Sequence, residues 1–564
     1  MMQRMMAEKI HYNIKKNEYI PLWKSAGTSG SVTDKTQRVT TTTITTENEA
    51  ETAIAMNPLD STSLVLSYMV YSSSTSNLSF SIQYSSDTGH NWQTANFSSQ
   101  SFFSSDFPTQ QIVGGGDPTF AWDAHTGRLY FSWIYLSIDP KDTNTYYQTL
   151  NWAYSDDNGV NWQRDMTAEN RFIGQGSYKL LFGIASPTNY LDGISDREWL
   201  AVDNSNGPLQ GTLYAIFLHN STTGVGEAIR AKPYSIGSKF GAVQHIGTNI
   251  NQNFGRVLVD SSGVLHAIYV DFSKEKLIHV SSSDGGKTFS SPHTIYSGNR
   301  LEGGAGVFYR SENAAPDITT DGKTLHVVWS DFPPGDSSVI SYYTTSSDNG
   351  NTWSTPRSLN TFFGMQTLMP TIAVYGNHVT ISASTRTSSS DSTKYYQIIS
   401  KDGGTSFQIP TTTSFIPTYY QSFKGTSDFF GDYNSAVRSY CYTFAAWADG
   451  RDEKDARVYF SATNHCSTIG VPEITAVNSG INIMSLYPNP IINSTTLKIN
   501  SNSNEHVTIS IYSIEGKRVF QEKYRLNKGS QEISLNLENL TSGSYMLALM
   551  DEEMIATRQL QVVH

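Results

Sequence analysis

Two short clusters of ionisable residues are the parts of this sequence best suited to chemistry. DREW supplies Asp196, Arg197 and Glu198, and FFGDYN supplies Asp432 and Tyr433. Carboxylates perform acid/base catalysis, arginine binds carboxylate groups in a bidentate manner, and tyrosine can act as a nucleophile. The clusters lie far apart in the sequence, so only the fold can bring them together.

A turn motif that recurs five times indicates how the chain folds. The copies at 85–92, 155–162, 282–289, 346–353 and 400–407 all read Ser-x-Asp-x-Gly-x-x-aromatic. Asp can accept hydrogen bonds from the backbone of its own turn, and Gly adopts a positive φ without steric cost. The repetition predicts a repeat protein in which these aspartates are structural. They are Asp87, Asp157, Asp284, Asp348 and Asp402.

The motif resembles the Asp-box, or BNR repeat, of the sialidase-like β-propellers. The resemblance implies that each Asp-box lies on the outer rim of a blade. It also implies that ligands bind in the central channel, which the innermost strand of each blade lines. The first strand of each repeated module is therefore the place to look for a site.

A second repeat lies before the Asp-boxes: a short strand, a Gly-containing turn and an apolar strand. It occurs seven times, including a copy without an Asp-box at 196–219 and a last copy at 432–449. The last copy has no evident fourth strand, and RVTTTTITT at 38–46 is suited to supply one and so close the ring. We therefore expect an all-β fold with a seven-bladed β-propeller at 38–466, and six blades as the alternative.

The resemblance further implies a site with three arginines that clamp a carboxylate, a tyrosine nucleophile with a glutamate partner, and an aspartic acid. The candidates are Arg197, Arg256, Arg310, Arg386 and Arg451 for the clamp, Tyr433 or Tyr309, Glu198 or Glu302, and Asp196 or Asp432. The family's Arg-Ile-Pro signature is absent from this sequence. Two hypotheses stay open: a secreted sialidase-like glycoside hydrolase, and a non-catalytic glycan- or protein-binding propeller at the cell surface.

A different pattern begins at 484 and continues to 564. YPNP, ISIYSIEGKRV and LENLTSGSYMLAL occur there in order, among alternating strands. They resemble the type A C-terminal sorting domain of the Bacteroidota type IX secretion system, which implies a small β-sandwich, export to the cell surface or medium, and the secretion machinery as a partner. We expect a linker at 467–483 and a mobile leader at 1–37, in which no signal peptide is visible.

Composition excludes several partners. The net charge of −11 and the isoelectric point near 5.6 argue against nucleic acid as a ligand. No apolar stretch is long enough to span a bilayer. A glycan or glycoprotein remains the expected ligand, and we expect a monomer.

The two cysteines, Cys441 and Cys466, flank a predicted hairpin. Pairing Ala448 with Ala456 would place Cys441 opposite Thr463, so a disulfide needs a small slip in register. No residues show metal-ligand spacing, and we expect no cofactor. The oxygen-rich segment 139–145 leaves a structural Ca²⁺ open.

Overall fold

The computed structural model of the protein describes most of residues 36–563. The internal segments that it does not describe are 40–46, 73–76, 99–101, 103–106, 108, 166–170, 182–183, 222–223, 234–237, 247–251, 302–314, 333–338, 387–391, 409, 415, 420–429, 452–455, 466–480, 514–517 and 551–553. The predicted leader at 1–37, apart from its last two residues, and the predicted linker up to residue 480 thus lie outside the described residues. The chain divides into two compact units, 1–464 and 465–564.

The first unit consists of antiparallel sheets, most of them four-stranded and built from consecutive strands. β1 is Gln37–Arg38. The next sheet contains β2 (Glu47–Asn57), β3 (Asp60–Ser72), β4 (Asn77–Ser85) and β5 (Gln93–Thr94). An eight-stranded sheet follows in chain order, made of β6 (Gln111–Trp122), β7 (Leu129–Asp139), β8 (Asp142–Ser155), β9 (Phe172–Leu181), β10 (Ile184–Val202), β11 (Leu213–Ser221), β12 (Gly224–Lys232) and β13 (Gln244–His245).

Four-stranded units continue after this double-width sheet. One contains β14 (Gln252–Val259), β15 (Leu265–Asp271), β16 (Lys276–Ser282) and β17 (His293–Ser297), and the next β18 (Asp317–Thr320), β19 (Leu325–Asp331), β20 (Ile340–Ser346) and β21 (Arg357–Ser358). The short helix α1 (Leu359–Phe363) leads to β22 (Gln366–Tyr375), β23 (His378–Arg386), β24 (Ser392–Ser400), β25 (Thr411–Thr412) and β26 (Thr418–Tyr419). The last strands of the unit are β27 (Ser435–Arg438), β28 (Tyr442–Asp449) and β29 (Arg457–Asn464).

The last sheet takes its fourth strand from the beginning of the chain. Gln37 pairs with Phe460 and Arg38 with Tyr459, so β1 adds to β29. This strand begins one residue before the predicted segment 38–46, of which 40–46 lie outside the described residues. The first and last sheets also share one apolar core, in which Leu64 and Tyr68 pack with Phe444 and Phe460.

The five Asp-box turns are held by hydrogen bonds of one kind. In the first, the Ser85 hydroxyl donates to Asp87 at 2.7 Å, and the backbone N–H of Asn91 donates to the same carboxylate at 2.9 Å. The other four Asp-box aspartates accept the equivalent two bonds. The glycine two residues after each Asp has φ between 80° and 84°.

Each of these glycines also lies against a side chain of a neighbouring module. A Cβ on Gly159 would meet Val65, one on Gly350 would meet His279, and one on Gly404 would meet Tyr343. A Cβ on Gly89 would meet Phe460 of the last sheet. The Asp-box thus serves two functions, because it ends its own hairpin and provides a flat surface on which the preceding module packs.

The hairpin of β28 and β29 corrects the predicted register. Ala448 pairs with Val458 rather than with Ala456, and Tyr442 pairs with Asn464. The predicted register was two residues out because the length of the turn cannot be read from its composition. Cys441 is disulfide-bonded, and Cys466, the other cysteine of the sequence, lies outside the described residues.

The second unit contains two antiparallel sheets. One is formed by β30 (Ile481–Tyr487), β31 (Ser494–Ser501) and β34 (Gly529–Asn536), and the other by β32 (Glu505–Ser513), β33 (Arg518–Leu526), β35 (Gly543–Met550) and β36 (Met554–Val562). Alternate apolar residues of both sheets form a single core, as Leu497 and Leu535 do from one and Ile509 and Leu547 from the other. β30 begins three residues before the predicted boundary at 484.

Candidate functional site

The site is built on a bulge that recurs in the inner strands, by which we mean the first strand of each module. In β2, β6, β10, β14 and β22 the inner strand carries one residue more than its partner at the same place. A residue beside each bulge has a left-handed backbone: Glu51, Asp117, Arg197, Phe254 and Met369, with φ between 48° and 60°. The first three are ionisable, and none of these side chains favours this conformation.

This strain recurs with the modules, and at three of the five positions it falls on an ionisable residue. A left-handed backbone costs an L-residue roughly 1–2 kcal/mol. Such residues cluster at functional sites, where bulges re-aim side chains. Asp117, Asp196 and Arg256 lie inside their strands rather than at the starts, because the strands continue beyond the bulge.

Arg197 connects two of these strands. Its guanidinium forms an ion pair with Asp432 at 2.5 Å and lies 4.4 Å from the ring centre of Phe254. Burial opposes the charge on Arg197, but the carboxylates of Asp432, Asp117 and Asp196 outweigh this and raise its pKa. The structure thus brings together the DREW and FFGDYN clusters through a direct contact.

Arg256 lies in a layer of aromatic rings. Its guanidinium stacks on Trp199 at 3.9 Å and lies 5.3 Å from the ring centre of Tyr433. The two rings pack edge to face at 5.6 Å, and the Tyr433 hydroxyl donates to the carbonyl of Pro118 at 3.3 Å. We call Arg256, Trp199 and Tyr433 the aromatic layer.

The carboxyl groups around Arg197 have raised pKa values, so they bind a proton more readily than free carboxyl groups do. Burial, with the neighbouring carboxylate of Asp196, raises the pKa of Asp117 to about 6. Burial and Asp117 also raise the pKa of Glu51 well above its ordinary value, and the two side chains share a hydrogen bond. Burial likewise raises the pKa of Asp196, whose carboxylate accepts a bond from Gln148 at 2.9 Å.

Two further glutamates near Arg197 and Arg256, Glu198 and Glu227, are almost fully buried. Glu198 accepts a hydrogen bond from Ser132 at 2.8 Å, and burial raises its pKa well above the ordinary value. Glu227 on β12 accepts one from the backbone N–H of Gly255 at 3.2 Å, and burial raises its pKa to about 8. In each, the second carboxyl oxygen has no hydrogen-bond partner.

Two cavities meet at the aromatic layer. The smaller, about 10 Å³, is lined by the layer together with Asp117, Arg197, Glu198 and Phe254. The larger, about 200 Å³, is also lined by the layer, and its other walls come from β2, β6, β18, β22 and β27. We call the larger cavity the channel chamber.

The predicted site residues fall into three groups. Asp196, Arg197, Glu198, Arg256, Asp432 and Tyr433 gather around these cavities. Arg310, with the alternatives Tyr309 and Glu302, lies outside the described residues. Arg386 donates to Gln366 at 2.9 Å and Arg451 pairs with Asp449 at 2.6 Å, each in a contact of its own away from the cavity linings.

The proposed tyrosine and glutamate pair is not formed as a direct hydrogen bond. Tyr433 donates to Pro118 and Glu198 accepts from Ser132. Burial, with the carboxylates of Asp117 and Glu51, raises the pKa of Tyr433 well above its ordinary value, which is the reverse of activation. Glu227 is a site residue that the sequence does not predict, because GVGEAI carries no pattern that indicates its contact with Gly255.

Among the described residues, no group of three or more His, Cys, Asp or Glu side chains has the arrangement of a metal site. The described part of the chain likewise contains no helix that is long and apolar enough to cross a bilayer.

Comparisons with known proteins identify two regions. Residues 244–424 match the BNR repeat-like domain, and residues 485–563 match the secretion system C-terminal sorting domain. A search of curated proteins gave no match.

Solved structures similar to this chain include several glycosidases. A Hadza microbial sialidase is 13% identical, with a TM-score of 0.41, over 74% of this chain and 66% of that one. A leech intramolecular trans-sialidase is 12% identical, with a TM-score of 0.39, over 77% and 70%. An α-L-arabinofuranosidase from Fusarium graminearum is 12% identical, with a TM-score of 0.37, over 63% and 93%. The chain is an all-β protein that carries a BNR repeat-like domain and a C-terminal sorting domain, and the latter indicates export.

Proposed function

We propose that this chain is an exported protein that acts on glycans, and that carboxyl groups rather than a tyrosine perform the chemistry. The observation that carries the proposal is Asp117. It is partly exposed, its backbone is strained, and its pKa of about 6 leaves roughly half of it protonated at pH 6 and roughly a tenth at pH 7. A carboxylic acid in this state can protonate the oxygen of a glycosidic bond.

The second requirement of glycoside hydrolysis is a carboxylate that stays ionised beside that acid. Asp432 fits this role, because Arg197 forms an ion pair with it. Asp196 also borders Arg197, but burial raises its pKa, so it is the poorer candidate. In this proposal Asp117 donates the proton, Asp432 stabilises the developing positive charge or activates water, and Arg197 positions both.

The same geometry makes an exo-α-sialidase the less favoured form of the proposal. Among the described residues, two arginines, Arg197 and Arg256, lie at the site, and Arg197 is already paired with Asp432. A carboxylate clamp needs free guanidinium groups. A neutral glycan fits a site rich in carboxyl groups better than an acidic sugar does.

The test is hydrolysis of a panel of fluorogenic glycosides that includes a sialoside, an arabinofuranoside and galactosides. We expect turnover of a neutral glycoside, a loss of roughly 100-fold or more in Asp117→Asn, and no loss in the matched variant Asp402→Asn at the rim. Activity should fall as pH rises through about 6, where Asp117 loses its proton. Turnover of the sialoside alone, or full activity of Asp117→Asn, would contradict the carboxyl mechanism.

A non-catalytic glycan-binding propeller is the second candidate. It is favoured by the internal contacts of Tyr433 and the two arginines, which leave the aromatic layer as a rigid surface. Aromatic rings bind sugars by stacking, without chemistry. Binding on a glycan array without turnover of any substrate in the panel, and loss of that binding in Trp199→Ala, would favour this candidate over hydrolysis.

We also propose that the modules form seven blades of one propeller and that the C-terminal sheets form a β-sandwich exported by a type IX system. Support for seven blades comes from the four-stranded units and from the shared core of the first and last sheets. The two C-terminal sheets share one core, which supports a sandwich. Deletion of 485–563 should leave the propeller inside the cell, which fractionation of cells and medium would show.

A further inference from the structure

Glu51 is a buried carboxyl group to which the proposed hydrolysis gives no role. Its side chain is 3% exposed, and it lines neither the smaller cavity nor the channel chamber. A substrate in either cavity therefore does not touch it. Because carboxyl groups are almost never fully buried without partners, the contacts of Glu51 indicate what it does.

Glu51 contacts Asp117, the proposed acid, in two ways. The backbone N–H of Asp117 donates to Oε2 of Glu51 at 3.4 Å, and the two carboxyl groups share a hydrogen bond. Both residues lie in the bulge of their inner strand, with φ of 52° and 51°. The two bulges therefore bring a carboxyl group of β2 into contact with one of β6.

A glycine on a third segment allows this arrangement. Gly431 has φ of 87°, and a Cβ there would lie 2.6 Å from the backbone N and 2.9 Å from Cγ of Glu51. Gly431 directly precedes Asp432, the proposed ionised carboxylate. Glu51 thus packs between the two segments that carry the proposed catalytic carboxyl groups, so its position bears on both.

The contact between the two carboxyl groups requires a proton, because ionised carboxylates only accept hydrogen bonds. Glu51 is the better place for that proton. Burial, with the carboxylates of Asp117 and Asp432, raises the pKa of Glu51 well above its ordinary value, whereas the pKa of the partly exposed Asp117 rises only to about 6. As pH rises, Asp117 therefore ionises first and Glu51 remains the hydrogen-bond donor.

A donor at this place changes the acidity of Asp117. A hydrogen bond to the ionised form of a carboxyl group favours that form, so Glu51 opposes the effect of burial on Asp117. When Asp117 gives its proton to the glycosidic oxygen, the electron pair of the broken O–H bond stays on Asp117. The hydroxyl of Glu51 donates to the carboxylate that results, and Glu51 keeps its own proton.

Other charged and titratable groups face this pair from β10, β14 and the segment before β27. None of them is altered in the variants described below, so a change in the titration of Asp117 reports the effect of Glu51. They are Asp196, Arg197, Glu198, Arg256, Asp432 and Tyr433.

We propose that Glu51 is a positioning residue for Asp117, which it holds in place as a neutral carboxylic acid and whose carboxylate it stabilises after proton transfer. The inference rests on the proposed hydrolysis, because it assigns Asp117 the role of the acid. The protonation of the pair is nevertheless a property of the folded chain, and it can be measured without a substrate.

Carbon-13 NMR of the full chain, labelled at the aspartate carboxyl carbons, follows the titration of Asp117. Its signal is the one that Asp117→Asn lacks, and the wild-type midpoint should lie at about 6. Glu51→Met keeps an unbranched side chain but removes the donor, so the midpoint should rise by about one pH unit. Glu51→Gln keeps a donor in its amide group and should leave the midpoint near that of the wild type.

The matched control is Glu49→Gln. Glu49 is a buried glutamate on the same strand that accepts a hydrogen bond from the N–H of Val458 at 2.7 Å and lies 3.8 Å from Arg457. This substitution should not move the midpoint of Asp117. For a glycoside that the wild type hydrolyses, kcat of Glu51→Met should fall by about 10-fold. Its loss of activity with rising pH should move upwards with the midpoint, and Glu51→Gln should restore the wild-type pH profile.

An unchanged midpoint in Glu51→Met would overturn the proposal, because Glu51 would then act through packing alone. A lower midpoint in both Glu51 variants would also overturn it, since an ionised Glu51 would be repelling Asp117. If Glu51→Met does not fold, carbon-13 labelling of the glutamate carboxyl carbons decides. The wild-type signal that Glu51→Gln lacks must still be that of a protonated acid at about pH 7.

The two proposals fail separately. The expected titration without turnover of any glycoside would contradict the proposed function and leave the protonation of the pair intact. Turnover that depends on Asp117, together with an unchanged midpoint in Glu51→Met, would contradict the role of Glu51 alone.

Discussion

The aspartates of the Asp-box turns, which we call the rim groups, and the buried carboxyl groups around Arg197 and Arg256, which we call the channel groups, are the same chemical group in opposite environments. At the rim, hydrogen bonds from Thr352 and Ser346 lower the pKa of Asp348 to about 2. At the channel, burial raises the pKa of Asp117 to about 6 and that of Glu227 to about 8. Donors favour the charged form and burial disfavours it.

This difference separates structure from chemistry within one fold. The rim groups are ionised at every pH at which the protein is expected to work, so they add stability and exchange no protons. The channel groups titrate near neutral pH, so they can exchange protons but destabilise the fold when they ionise. A rise in pH, or the neutralisation of a carboxylate by substitution, should therefore change the free energy of unfolding in opposite directions for the two sets.

The largest effect is expected at Glu227. Its folded-state pKa of about 8 lies above the ordinary value, so the folded chain retains a proton that the unfolded chain releases. The stability that Glu227 contributes is therefore fully present below about pH 4.5 and is lost as pH rises towards 8. Glu227→Gln removes this loss. As pH rises across this range, the free energy of unfolding of Glu227→Gln should increase relative to that of the wild type by on the order of 4 kcal/mol.

Urea unfolding at several pH values measures this gain. Glu532→Gln, at an exposed carboxylate of the C-terminal unit, is the control and should show no comparable trend. A flat difference between Glu227→Gln and the wild type would mean that Glu227 is ionised in the folded protein, and the contrast between channel and rim would fail at its strongest point.

The next effect concerns the rim as a packing surface. Gly403 and Gly404 are adjacent in the last Asp-box, and both have positive φ, 67° and 82°. A Cβ on Gly403 meets nothing within 4 Å, whereas one on Gly404 overlaps the hydroxyl of Tyr343. Gly403→Ala should cost about 1 kcal/mol from backbone strain alone, and Gly404→Ala about 3 kcal/mol because overpacking is added.

Urea denaturation of the two variants gives this comparison directly. Equal losses would show that the Asp-box glycine is required only for its backbone conformation. The packing of neighbouring modules against it would then contribute nothing measurable.

The rim was predictable from sequence in a way that the channel was not. An Asp-box is a local solution, because Ser346, Asp348 and Gly350 contact one another within a few residues. The channel depends on contacts between distant strands, such as Arg197 with Asp432 or Glu227 with Gly255. Composition located the first pair because both clusters are dense in ionisable residues, and it missed Glu227, which stands alone.

The bulges were also beyond sequence reasoning. Glu51, Asp117 and Arg197 adopt a left-handed backbone that their residue types do not favour, so no local preference indicates it. The register of β28 and β29 was predicted two residues out for a related reason, since hairpin pairing is set by a turn whose length its composition leaves open. Strain and register are properties of the assembled sheets.

The smallest effect compares two rim carboxylates that differ only in their partners. Asp348 accepts hydrogen bonds from Ser346, from the Thr352 hydroxyl and from the Thr352 N–H. Asp156 instead pairs with Arg128 at 2.7 Å, and the side chains of Asp156 and Arg128 are 48% and 31% exposed. We expect Asp348→Asn to cost about 1 kcal/mol near neutral pH and Asp156→Asn about 0.5 kcal/mol or less. The cost at Asp348 should be lost as pH falls through about 2, where the wild-type group also becomes neutral.

Salt distinguishes the two mechanisms. Screening weakens an exposed ion pair but hardly affects hydrogen bonds within a turn, so about 0.5 M salt should remove the cost of Asp156→Asn and leave that of Asp348→Asn. Chemical denaturation with urea, which adds no ions, measures both. If the two costs fell together, the Asp-box carboxylates would act through their charge alone, and the rim would differ from the channel in exposure but not in hydrogen bonding.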